Sequence, residues 1–137
     1  MTKPIFIIAI YFLTISCNQN SKHGERNDKL TETDTTEIDF IKSSPDKAKI
    51  VLENEFVRVI EYSLKPGEKD STHTHPPKAS YVISGGTLRV YPENEKPFDS
   101  EEVTGTTEWA GKRGNHYVEN IGKTTVTILL TEIKKAK

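Results

Sequence analysis

The chain has 137 residues, 34% of them hydrophobic, and its 19 basic and 20 acidic side chains leave a formal charge of −1. This length suits one compact domain, and a near-neutral balance with no dense basic cluster argues against a nucleic-acid surface. The single cysteine, Cys17, excludes an internal disulfide.

Lys3 gives the chain a positive start, and an apolar run follows from Ile5 to Ile15. Such a run fits a signal-peptide core and falls short of the roughly 20 residues that span a bilayer. Ser16 and Cys17 come next, then an abruptly polar stretch. The arrangement resembles a bacterial lipoprotein signal, which implies a signal peptide over 1–16, lipidation of the Cys17 thiol and an extracytoplasmic, membrane-anchored location at the cell envelope. Thr14 stands where that pattern has a Leu-like residue, and Leu13 lies one place further from the cysteine. The alternative is an ordinary secretory signal with an incidental cysteine. Cleavage before Cys17 moves the formal charge from −1 to −2.

Residues 17–45 are rich in Asn, Ser, Thr, Asp, Glu and Lys, with only Leu30, Ile38, Phe40 and Ile41 offering apolar surface. A segment so poor in apolar area cannot offset its ordering entropy, so it is expected to be a flexible linker. Ile38 to Ile41 is a candidate edge strand, and the folded domain is expected over 46–137.

After Pro45 the pattern changes to short β-rich runs separated by turn residues, with no convincing helical period. Phe56 to Leu64 reads as a strand stopped by Lys65, Pro66 and Gly67. Ser80 to Ser84 and Thr87 to Tyr91 flank Gly85 and Gly86, which can both take positive φ and form a tight hairpin. Further strands are expected near Glu101 to Val103, at Tyr117 to Glu119 and from Thr124 to Ile133. Seven to nine short strands in about 90 residues suit an all-β sandwich or jelly roll.

His73, Thr74 and His75 place two imidazoles on one face of an extended segment, where both can reach one ion about 2.0–2.1 Å from each nitrogen. Five residues separate Gly67 from His73, and Gly86 closes the following strand. This spacing resembles the first motif of the cupin superfamily, G(X)5HXH(X)3–4E(X)6G. Gly105, His116 and Asn120 keep the spacing of the second motif, G(X)5PXG(X)2H(X)3N. The resemblance covers roughly residues 50–135. It implies a single cupin barrel, a double-stranded β-helix or jelly roll, with His73, His75 and His116 as metal ligands at its mouth. Ala79, beside Ser80, stands where the family has a glutamate ligand, and Gly111 and Arg113 replace its Pro and Gly. Three neutral imidazoles suit a divalent transition metal, with Zn, Fe, Mn, Ni and Cu all compatible. The competing reading keeps the histidines as hydrogen-bonding groups of a metal-free barrel.

Arg58, Arg89 and Arg113 are candidates for contact with an anionic ligand, weighed against solvated or edge-protecting roles. Tyr81 lies close to the missing glutamate and is a candidate to orient a ligand. Tyr62, Tyr81, Tyr91, Phe98 and Trp109 are expected to include core or barrel-lining aromatics. Glu119 lies an odd number of residues from His116, so a regular strand turns it the other way. Two functions stand nearly level: a metal-dependent enzyme such as an oxygenase, isomerase or lyase, and a barrel that binds or senses a small molecule without turnover, with or without metal. Homodimerisation through edge strands is compatible with an open sheet.

Overall fold

A computed structural model of the chain describes residues 37–134. The expected signal peptide over 1–16, Cys17 and positions 17–36 of the expected linker lie outside these residues.

Among the described residues nine strands follow one short helix. They are α1 (Phe40–Ser43), β1 (Ala48–Glu53), β2 (Val57–Leu64), β3 (His73–His75), β4 (Lys78–Ser84), β5 (Gly86–Pro92), β6 (Phe98–Glu102), β7 (Thr107–Ala110), β8 (Arg113–Asn120) and β9 (Val126–Ile133). They form two antiparallel sheets, one ordered β1-β2-β9-β4-β7 and the other β3-β8-β5-β6. The all-β double-stranded β-helix expected from the sequence is the fold observed.

The central pair β2 and β9 is rich in β-branched and aromatic residues, which fit a pleated, half-buried surface. Their register sets Leu64 opposite Val126, Tyr62 opposite Ile128, Ile60 opposite Leu130 and Arg58 opposite Glu132. Because side chains alternate, one face of this pair is an apolar stack that ends in a charged pair. The stack joins Leu88 and Val118 of the second sheet to make the core. Gly67 and Gly105, the leading glycines of the two motifs, have φ of 79° and 86°, a region that favours glycine.

Three expectations are corrected. Gly85 and Gly86 do not make a hairpin: β4 and β5 belong to different sheets, and neither glycine has positive φ. Gly85 is required for close approach instead, since a Cβ there would sit 2.1 Å from the Glu102 carbonyl oxygen. Ile38 to Ile41 is not an edge strand; Asp39 caps a helical turn by accepting from the Lys42 N–H, after a single parallel bridge to Thr74. The folded part also begins before residue 46, because Phe40 is 1% exposed and belongs to the core. One large aromatic ring offers enough apolar area to dock an otherwise polar segment. Among the described residues no helix is long and apolar enough to cross a membrane.

Candidate metal centre

His73 and His75 lie on β3, which pairs with β8 so that His73 faces His116 and His75 faces Arg113. All three histidines are buried. Their rings pack closely, His73 with its centroid 4.7 Å from His75 and 4.4 Å from His116.

The hydrogen bonds fix each tautomer. His73 Nδ1–H donates to the Ser71 carbonyl at 2.8 Å and His116 Nδ1–H to the Gly114 carbonyl at 2.8 Å. His75 Nδ1–H donates to Glu132 Oε1 at 2.7 Å. Carbonyl and carboxylate oxygens only accept, so each Nδ1 carries the proton of a neutral ring and each Nε2 is left with a lone pair. Burial, aided by neighbouring positive charge, holds the rings neutral. His73 and His75 are lowered to about 2 and His116 to about 4.

His73 Nε2 and His75 Nε2 stand 3.0 Å apart, and one ligand atom from each of the three histidines lies within 4.8 Å of the others. Two unprotonated nitrogens at that distance repel rather than bond. Sharing an ion about 2.0–2.1 Å from each relieves the conflict and gives adjacent coordination positions the observed spacing. The donor set therefore fits a metal.

The surroundings hold the rings in place. Glu132 accepts from His75 through Oε1 and from Arg58 through Oε2, and Arg58 reaches Asp39 at 2.6 Å. Phe40 stacks on His73 with centroids 4.0 Å apart and meets His75 edge-on. Thr74, between the two histidines, exchanges backbone and hydroxyl hydrogen bonds with Ile38. Asp70 accepts from the Val118 N–H and the Tyr62 hydroxyl, and burial raises its carboxyl to about 6. Beyond the rings a cavity of about 120 Å³ opens between the sheets, large enough for several waters or one small ligand.

Solved structures share this architecture. A cupin domain from Bordetella pertussis Tohama I is 24% identical, covers 64% of this chain and 92% of its own, and superposes with a TM-score of 0.60. An RmlC-like cupin family protein with a double-stranded β-helix fold from Methanocaldococcus jannaschii is 16% identical over 63% of this chain and 77% of its own, with a TM-score of 0.53. The chain has the cupin fold. A protein with a double-stranded β-helix domain from Klebsiella pneumoniae is 20% identical over 72% of this chain and 87% of its own, with a TM-score of 0.51. No protein-family model and no curated protein sequence matches the chain.

Within this cupin barrel the singled-out residues divide. Arg58 stands behind His75, joined to it through Glu132, and Arg113 lines the cavity. Arg89 is half-exposed and spends its guanidinium on Asp99 through two hydrogen bonds, away from the histidines. Tyr81 is 45% exposed and does not reach the cavity, because Lys78 and Ser80 occupy the inner face of β4 and alternation turns Tyr81 outward. Trp109, on the edge strand β7, is also exposed; of the five aromatics Tyr62 is buried in the core and Phe98 lines the cavity. Glu119 faces outward to Lys69 and Tyr91.

Sequence reasoning missed Glu132, Phe40, Lys78 and Asp70. Glu132 had a signal: it continues the inward phase of Val126, Ile128 and Leu130. Lys78 likewise continues the inward phase of Ser80 and Val82. Phe40 was visible only as a large ring in a polar stretch, and Asp70 had no local signal.

Proposed function

We propose that this chain is a lipid-anchored cell-envelope cupin protein that binds a divalent transition metal through His73, His75 and His116 and binds or transforms a small molecule in the barrel. The observation that carries the reading is the set of three Nδ1–H donors, each engaged by an acceptor, with the Nε2 atoms of His73 and His75 3.0 Å apart and a ring nitrogen of His116 within 4.8 Å of a ring nitrogen of each. Three neutral imidazoles accommodate Zn, Fe, Mn, Ni or Cu. Such an ion supplies Lewis acidity to an oxygen-bearing ligand. Glu132 fixes the His75 tautomer and ring plane, the usual task of a carboxylate behind a ligating histidine. Phe40 closes the floor beneath His73 and His75 and keeps water from that side. The anchor is supported by the apolar run before Cys17 and the polar stretch after it.

The test is elemental analysis of the chain purified without chelator or affinity-metal step, beside His75→Ala. Near-stoichiometric metal in the parent, lost in the variant, supports the centre. No metal and no uptake on titration overturns it and leaves a metal-free ligand-binding barrel. Incorporation of labelled lipid, abolished by Cys17→Ser, tests the anchor. Saturable binding of small acids with no product separates binding from catalysis.

A further inference from the structure

Two cationic side chains share the histidine cavity, and neither forms a direct ion pair there among the described residues. Lys78 enters from β4 and Arg113 from β8, one from each sheet. Among the described residues neither makes a salt bridge or a side-chain hydrogen bond; the Arg113 guanidinium lies 6.0 Å from the centroid of the Phe98 ring. The neighbouring cation Arg58 is treated differently, with both Asp39 and Glu132 on it. Asp70, Glu102 and Glu108 also line the cavity, Asp70 held by Tyr62 and Val118 and Glu102 accepting from the Ser100 hydroxyl, and none makes a direct ion pair with Lys78 or Arg113.

These charges act on the same space. Lys78 opposes protonation of all three histidines, and Arg113 that of His75 and His116. Burial, then the Arg113 charge, lowers Lys78 to about 8 against the opposing pull of Glu132, Glu108 and Glu102, which leaves it mainly protonated at neutral pH. A partly buried ammonium without a partner is costly, and an anion entering the cavity removes that cost. The donor set adds to the demand. Three neutral imidazoles leave a divalent ion with its full charge, because no carboxylate ligates it and Glu132 is already shared between His75 and Arg58.

We propose that the cavity takes a small carboxylate with a second oxygen donor, its carboxylate held between Lys78 and Arg113 and its other oxygen turned towards the three Nε2 atoms. This deepens the metal reading above and rests on it for the second contact. The cavity volume of about 120 Å³ suits a ligand of a few carbon atoms.

The experiment loads the full chain, purified in detergent, with Co(II) and titrates malonate and malonamide while recording the visible cobalt bands. Malonate is expected to change the bands saturably and malonamide to leave them unchanged. Lys78→Met and Arg113→Gln should each weaken malonate about ten-fold or more, the loss of one charge-assisted contact, while the bands without malonate stay as in the parent. Lys78→Arg, which keeps the charge, should restore binding. Equal affinity for the amide, or malonate binding untouched by both neutralising substitutions, overturns the inference. An absence of cobalt bands overturns the metal reading instead. Calorimetry of malonate with the metal-free chain then decides the cation pair: binding lost in Lys78→Met supports it, and no binding overturns it.

Discussion

The two sides of the histidine cluster are built on opposite rules. Behind it every charge has a partner: His75 meets Glu132, Glu132 meets Arg58, and Arg58 meets Asp39. In front, Lys78 and Arg113 face the cavity with the carboxylates of Asp70, Glu102 and Glu108 along its walls, and neither cation makes a direct ion pair among the described residues. A paired charge in a buried place holds geometry, because removing either partner strands the other. An unpaired one raises the energy of the folded chain and keeps a position open for something that arrives later. The back of the cluster is thus scaffold and the front is a receptive surface.

Substitutions should break this contrast in order of size. Phe40→Ala removes a fully buried ring from the scaffold side and is expected to cost about 3–5 kcal/mol in urea unfolding. Glu132→Ala leaves Arg58 with Asp39 alone and releases His75, so a loss of about 2–4 kcal/mol should accompany a metal affinity weakened roughly 10–100-fold. Lys78→Met should have the opposite sign. The folded chain holds this amine at about 8 against 10.5 when exposed, so the unfolded chain binds its proton more tightly and the folded state carries the full cost below pH 8. The variant is therefore expected to gain stability of the order of 1–3 kcal/mol at pH 7, shrinking as pH rises from 8 towards 10.5. Arg89→Ala, far from the cluster, should leave unfolding and metal content unchanged.

Acid sharpens the same comparison. The three histidines are lowered in the folded chain and bind protons on unfolding, so their contribution is complete above pH 6.5 and is lost as pH falls, down to about 4 for His116 and about 2 for His73 and His75. Asp70, raised from 3.8 to about 6, works the other way between those values. Three groups against one leave a net uptake of about two protons on unfolding near pH 5. Metal-free protein should therefore lose stability steadily from pH 6.5 to 4, as unfolding midpoints across that range would show.

Much of this was legible because two periodicities carry it. Alternation puts His73 and His75 on one face, and motif spacing brings His116 opposite them, as the register of β3 and β8 bears out. The strand identities of β2, β4, β5 and β9 follow from their β-branched runs. Pairing partners were not legible: Gly85 and Gly86 signal a tight passage equally for a hairpin and for a crossing between sheets. The supporting residues were hidden for another reason. Asp39, Arg58, Glu132 and His75 meet only after four separate segments have packed, so no local pattern announces them.

Phe40 has a practical side. Its ring comes from a stretch whose composition reads as linker, yet it is the surface on which His73 rests. A shortened chain that starts at Asp46, the boundary composition suggests, would discard the ring together with Asp39 and the Ile38 bonds to Thr74. Such a fragment would have its histidines exposed from below. A failure of that fragment to hold metal would report on the cut and not on the barrel, so the cut belongs at or before Glu37.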